Sequence, residues 1–137
     1  MALPNVGGGR QVGDGNINEL QLGMQNTPAT ATSTATMTVA QITAGILLGS
    51  PGSSAATYTL PTVALTEASL NNASKTGASF DLAVVNVDGS GSGVITMAVG
   101  TGWTAVGLMT IAATAGTAQT FRCYKTGDGA WTICRIG

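Results

Sequence analysis

Apolar residues in this chain recur mainly at every second position or in short runs, which is the pattern of β-strands. Two such runs between Ser79 and Gly100 flank the glycine- and serine-rich segment 89–93, so we expect a central antiparallel hairpin. Its first strand is apolar on both faces, with Phe80, Leu82 and Val84 on one face and Ala83, Val85 and Val87 on the other. A strand of this kind needs a second sheet on one face and another layer or subunit on the other.

The same pattern predicts further short strands at 34–39, 46–48, 55–60, 103–106 and 108–112. The segment 62–73 differs, because Thr62 is a suitable N-cap for about two helical turns and Asn71-Asn72 favours a left-handed stop. We therefore expect one short helix in an otherwise all-β domain. The fold class predicted is an antiparallel β-sandwich, jelly-roll-like, formed by residues 34–137.

The C-terminal hairpin is predicted from Gln119–Lys125 and Ala130–Ile136, joined by the turn 127–129. An Asp-Gly turn of type I′ places Cys123 opposite Cys134, with Cα atoms about 5.5 Å apart, and a disulfide can span that distance. Two alternatives remain open for this pair: free thiols buried in the core, or a disulfide formed late. A cysteine nucleophile is disfavoured because the chain has no histidine to activate it.

Residues 1–33 are rich in glycine and lack helical periodicity, so we expect an extended N-terminal arm and not an independent fold. Apolar residues are nevertheless spaced along it, which a solvated linker does not need. Fully extended, such an arm spans on the order of 100 Å and can reach a different subunit. A disordered tail is the alternative interpretation.

Charged residues make up 8% of the chain and the formal net charge is -1. Five dispersed Lys and Arg residues are a weak footprint for nucleic acid, so we expect no nucleic-acid partner. The segment from Asp14 to Glu19 superficially resembles a calcium loop, but the ligand spacing and terminal glutamate of that motif are missing. We predict no metal, no cofactor, no catalytic residues and no enzyme activity. No apolar run approaches the roughly 20 residues of a membrane span, and no secretory leader is visible.

Several segments resemble those of tailed-bacteriophage capsid decoration, or cement, proteins. They are Ala-Leu-Pro-Asn-Val-Gly-Gly-Gly and Gly-Asp-Gly-Asn-x-Asn-Glu-x-Gln-Leu-Gly in the arm, then Thr-Tyr-Thr-Leu-Pro-Thr, Ser-Phe-Asp-Leu-Ala-Val-Val-Asn and Phe-Arg-x-Tyr-Lys-Thr-Gly. The resemblance spans most of the chain, and its motifs are structural.

This resemblance implies a homotrimer on the outer capsid surface of a virion, made in the host cytoplasm, with the major capsid protein as partner. The arm residues that we expect to contact capsid are Leu3, Val6, Arg10, Val12, Asp14, Ile17, Glu19, Leu20 and Leu22. The alternative function is an adhesion or carbohydrate-binding module of a phage head or tail fibre, which would stack a sugar on an exposed Trp103 or Trp131.

Overall fold

The computed structural model describes residues 23–70, 75–88 and 92–137. Most of the predicted arm, the end of the predicted helix and the tip of the predicted central hairpin lie outside these ranges. The described part is β-rich, with ten strands and two helices. The elements are β1 Ala29–Ala31, β2 Ala35–Thr36, α1 Val39–Thr43, β3 Ile46–Gly49, β4 Ala56–Thr59, α2 Val63–Ser69, β5 Ser79–Asn86, β6 Ile95–Ala98, β7 Trp103–Val106, β8 Thr110–Ile111, β9 Thr117–Gly127 and β10 Ala130–Arg135.

The strands form two mixed sheets, in the orders β1-β3-β5-β9-β10-β7 and β2-β4-β6-β8. From β1 to β6 the chain alternates between the sheets, and each strand pairs in parallel with the strand two positions earlier. This part of the chain is therefore wound like a flattened coil. The predicted antiparallel, jelly-roll-like arrangement is wrong, because only β5, β6, β8, β9 and β10 take part in antiparallel pairs.

The predicted central hairpin is also wrong. β5 pairs in parallel with β3 and antiparallel with β9, whereas β6 belongs to the other sheet, between β4 and β8. The two runs are strands as expected, but the connection between them crosses from one sheet to the other. Their alternating pattern specified strands and left the pairing partner undetermined.

The two helices begin at threonine caps. Thr62 caps α2 by accepting a hydrogen bond from the Leu65 amide, as the sequence predicted. The other helix, α1, begins where the strand predicted at 34–39 was expected to end. A capping box forms there, since Thr38 accepts from the Gln41 amide and the Gln41 side chain accepts from the Thr38 amide. The prediction of a single helix is therefore wrong.

One hydrophobic core lies between the two sheets. The six-stranded sheet contributes Leu82, Val84 and Phe121, and the four-stranded sheet contributes Tyr58 and Ile95, all of them buried. The helices join this core on the same side as the four-stranded sheet, through Ile42 of α1 and Val63 and Thr66 of α2. The face of the six-stranded sheet that turns away from this core is called the outer face below.

The C-terminal hairpin exists, but its register differs by one residue from the prediction. Gly129 has φ +66° whereas Asp128 does not have a positive φ, so the turn is not type I′. Gly127 pairs with Ala130 but Trp131 pairs with Lys125, which leaves one extra residue in β9 as a bulge. A shift of one residue exchanges the faces of every side chain beyond the bulge relative to the partner strand.

Candidate functional site

The nine arm residues predicted to contact capsid lie outside the described residues: Leu3, Val6, Arg10, Val12, Asp14, Ile17, Glu19, Leu20 and Leu22. Their role therefore stays a prediction. The strand β1 begins at Ala29, so the end of the segment that we assigned to the arm belongs to the six-stranded sheet.

The two cysteines lie on opposite faces of the six-stranded sheet, and both are free. Cys123 pairs with Ile133 and is fully buried, whereas Cys134 pairs with Arg122 and is partly exposed on the outer face. The register that placed the two cysteines opposite each other is wrong, and of the two alternatives left open the structure has free thiols, of which only Cys123 is fully buried. Burial, and then the nearby charge of Asp81, raise the pKa of the Cys123 thiol to about 12, so this thiol is chemically inert near neutral pH.

The outer face of the six-stranded sheet is largely uncharged. Successive side chains of a strand point to opposite faces of the sheet. Because Leu47, Leu82 and Val84 are buried on the inner face, the residues directly before and after each of them on the strand lie on the outer face. In register across the strands, its side chains include Ile46, Leu48, Ala83, Val85, Thr120, Tyr124, Cys134, Val106 and Ile136. In the described residues both helices and the second sheet pack on the inner face, so this apolar surface faces outward.

Two apolar patches lie at opposite sides of the outer face. Patch A consists of Ile46 and Leu48 of β3 with Val85 of β5, which are half-buried. Patch B consists of Val106 at the end of β7, Leu108 two residues beyond it and Ile136 just after β10. These side chains are 46%, 62% and 49% exposed, which is high for large apolar residues.

A single ion pair separates the two patches. The Arg122 guanidinium donates from Nε to Asp81 Oδ1 at 2.7 Å and from Nη2 to Oδ2 at 3.0 Å. These bonds hold the pKa of Asp81 below its ordinary value and that of Arg122 above it. The two charges cancel each other, so the outer face is close to neutral.

A shallow groove of about 590 Å³ lies at the carboxyl ends of β2 and β4, between the starts of α1 and α2. Its described lining carries no charge. The lining combines hydroxyl groups with apolar side chains, namely Thr36, Thr38, Thr59, Thr62, Ser69 and Thr101 with Met37, Val39, Leu60, Pro61 and Leu65. Such a lining suits a neutral, partly apolar ligand, and its described residues include no carboxylate, imidazole or amine group.

A buried ion pair that was not predicted from the sequence lies beneath α2. Lys125 Nζ lies 3.0 Å from Glu67 Oε1, and the lysine side chain is 6% exposed. Trp131 Nε1 donates to the same carboxylate oxygen at 3.1 Å. The hydrogen bonds from Lys125 and from Trp131 lower the pKa of Glu67. Strand alternation does indicate the burial of Lys125, because this residue follows Phe121 and Cys123 at two-residue spacing and therefore lies on the core face of β9.

The two tryptophans pack against each other in the interior, with ring centroids 5.7 Å apart. Trp103 is 7% exposed and donates from Nε1 to the carbonyl of Pro61 at 2.8 Å, while Trp131 is 1% exposed. Neither ring is available to stack on a sugar. The carbohydrate-binding alternative thus lacks the exposed aromatic residue on which it was based.

Among residues 23–70, 75–88 and 92–137 there is no cluster of three or more potential metal ligands. No helix formed by these residues is long and apolar enough to span a membrane. No protein-family model, curated protein or solved structure matches this chain.

Proposed function

We propose that this chain is a structural protein that decorates and cements the capsid of a tailed bacteriophage. In this proposal it acts as a homotrimer whose N-terminal arms bind neighbouring major capsid protein subunits on the outside of the virion, after synthesis in the host cytoplasm. The observation that carries the proposal is the outer face of the six-stranded sheet, which is apolar and near neutral. Surfaces of this composition are typical of protein–protein contacts.

The arm supports the proposal through its sequence. Apolar residues recur along residues 1–22, while only Arg10, Asp14 and Glu19 are charged there. An extended segment of this kind can bind in grooves between capsid subunits. Three arms on one trimer would act together, because binding of the first raises the effective concentration of the others. Weak single contacts then hold the trimer on the shell for long periods.

Co-sedimentation with empty capsid shells tests the attachment. We expect the full-length protein to pellet with shells, and the full-length double substitution Ile17→Asp with Leu20→Asp to remain in the supernatant, since both changes place charges in the apolar arm. Met24→Asp, at an arm residue that is 99% exposed and is not among the nine predicted contact residues, is the control and should pellet like wild type. Pelleting of the double variant at the wild-type level would contradict an attachment through these arm residues.

Genome retention tests the cementing role. Virions that carry the protein should keep their genome under heat and osmotic shock at conditions where virions stripped of it release DNA. Adding purified protein back to stripped virions should restore retention. Equal loss of genome with and without the protein would exclude the cementing function even if the protein binds shells.

A further inference from the structure

We propose that copies of this chain associate through the outer face, with patch A of one copy packed against patch B of the next. The proposal deepens the proposed function by naming the surface that forms the oligomer. It depends on that function only for the number of copies, because the association itself requires no capsid.

The outer face is built like a buried surface. Strands paired in parallel are ordinarily covered on both sides and read as continuous apolar runs. β3 reads Ile-Leu-Leu, and β5 contains Leu-Ala-Val-Val. Their inner side chains are fully buried in the core, whereas the outer ones, at Ile46, Leu48 and Val85, have no covering element among the described residues.

The charges of the outer face favour a second copy as the covering partner. Asp81 and Arg122 already bind each other through two hydrogen bonds, so the face is neutral and requires no counter-charge from its partner. A strongly acidic or basic partner would lose hydration of its charges on this surface without gaining new ion pairs. The outer face of another copy is also neutral, so it can cover this surface without leaving a charge desolvated and unpaired.

The size of the face is also adequate. Six strands spaced about 4.8 Å apart give a width of roughly 29 Å. β5 and β9, with 8 and 11 residues, give lengths of roughly 27 to 37 Å near the middle. The other strands are shorter, so the 36 residues of the six strands cover roughly 590 Å². Two copies that cover this face together bury on the order of 1,200 Å², the lower end of the range for specific interfaces.

The two patches favour head-to-tail contacts between copies. Patches A and B differ in exposure. β3 of patch A and β7 of patch B are four strand spacings apart, roughly 19 Å, and both patches lie on the same face, so they cannot cover each other within one chain. Packing patch A of one copy on patch B of the next is a heterologous contact, which forms a closed ring when the rotation between copies permits.

Single substitutions in each patch test this arrangement in the full-length protein. Leu48→Lys in patch A and Val106→Lys in patch B should each weaken self-association by roughly 100-fold or more, because each buries an unpaired charge. Leu65→Lys is the matched control, since Leu65 is 60% exposed on α2, away from the outer face. Light scattering gives the mass, and the far-ultraviolet circular dichroism of each variant verifies its fold.

Mixing the two variants gives the sharper measurement. The Leu48→Lys chain retains an intact patch B and the Val106→Lys chain retains an intact patch A, so an equimolar mixture should form one-to-one dimers from two monomers. Failure of folded variants to form dimers on mixing would overturn the A-to-B contact. A monomeric wild type, or an oligomer that survives Leu48→Lys, would overturn association through this face.

The experiments distinguish failure of the proposed interface from failure of the proposed capsid function. A wild-type oligomer that dissociates on Leu48→Lys but never pellets with shells would support the interface and contradict the capsid function. If Leu48→Lys unfolds the chain, Val85→Thr provides a second patch A variant, because it exchanges a methyl group for a hydroxyl of nearly the same volume. It should weaken self-association while preserving the fold, and undiminished association would count against the proposed contact.

Discussion

Asn86 is the polar residue whose replacement should most strongly weaken the contact between the two sheets. It is fully buried at the end of β5, and its Nδ2 donates to the carbonyls of Gly93 at 2.8 Å and Ala112 at 2.9 Å. These carbonyls flank strands of the other sheet. Asn86→Asp keeps the shape of the side chain but replaces the donor by an oxygen that faces two carbonyl oxygens. Two hydrogen bonds are lost and buried acceptors are left unpaired, so we expect a loss of about 3 to 5 kcal/mol at neutral pH.

The pH dependence distinguishes this mechanism from a general packing defect. Burial and the two carbonyls raise the pKa of a carboxyl at position 86 above its unfolded value of about 3.9. Because the pKa of this carboxyl is raised in the folded state, Asn86→Asp is closest in stability to wild type at a pH below the pKa of the unfolded chain. It loses stability relative to wild type as the pH rises through the pKa of the folded protein.

Urea unfolding of wild type and Asn86→Asp at several pH values between about 3 and 7 measures this difference. The gap in unfolding free energy should widen as pH rises. Asn26→Asp makes the same chemical change at an exposed residue and should leave the gap near zero. A gap for Asn86→Asp that stays constant with pH, or is absent at neutral pH, would refute the reasoning.

Two further predictions concern close packing and charge. Gly49→Ala should reduce the unfolding free energy by about 1 to 3 kcal/mol, because an added Cβ would collide with Ile95 across the core. Gly127→Ala is the control and should leave the unfolding free energy unchanged, since nothing lies within 4 Å of a Cβ at that position. Equal midpoints of the two variants in thermal unfolding would contradict this prediction. Glu67 has a lowered pKa in the folded protein, so its contribution to stability is present above its unfolded value and is lost as pH falls through the folded one. Wild type should therefore lose more stability than Glu67→Gln when the pH is taken below about 4.5, and parallel acid titrations of the two proteins would exclude a stabilising pair with Lys125.

Local signals predicted most of the strands and the helix at Thr62. The residues 55–60, 79–87 and 103–106 alternate or run apolar, and each contains a strand in the structure. Threonine capping and turn chemistry act within four or five residues, so a sequence reading can detect them. The β-rich character of the fold follows from the same local information.

Pairing could not be predicted in this way. β5 has a chain-adjacent apolar run at β6, yet it pairs with β3 and β9, which are far away in sequence. A long glycine-rich connection permits either a hairpin or a crossover between sheets, and the choice depends on tertiary packing. The predicted pairing of Cys123 with Cys134 was wrong for a smaller reason, because one bulged residue after Lys125 reversed the face of Cys134 relative to Cys123.

For the Lys125–Glu67 pair, the sequence pattern indicates that Lys125 is buried but does not identify its partner. Alternation placed Lys125 on the core face, but only the position of α2 over β9 and β10 supplies the carboxylate that makes its burial tolerable. Similarly, both apolar faces of β5 were visible in the sequence. The opposite placement of patches A and B required the strand order of the whole sheet.

The coiled winding of β1 to β6 bears on how the chain folds. Ala29 lies beside Leu47 and Ile46 beside Ala83, so neighbouring strands are separated by roughly 20 to 40 positions and no local hairpin can start this half of the molecule. Loop-closure entropy is lost before such contacts form, which predicts folding on the order of milliseconds to seconds. The antiparallel pair β9–β10 has the shortest connection in the six-stranded sheet, so we expect it to form early. We expect the wound half to assemble later, and the edge strand β1, which pairs with β3, to open first when the protein is stressed.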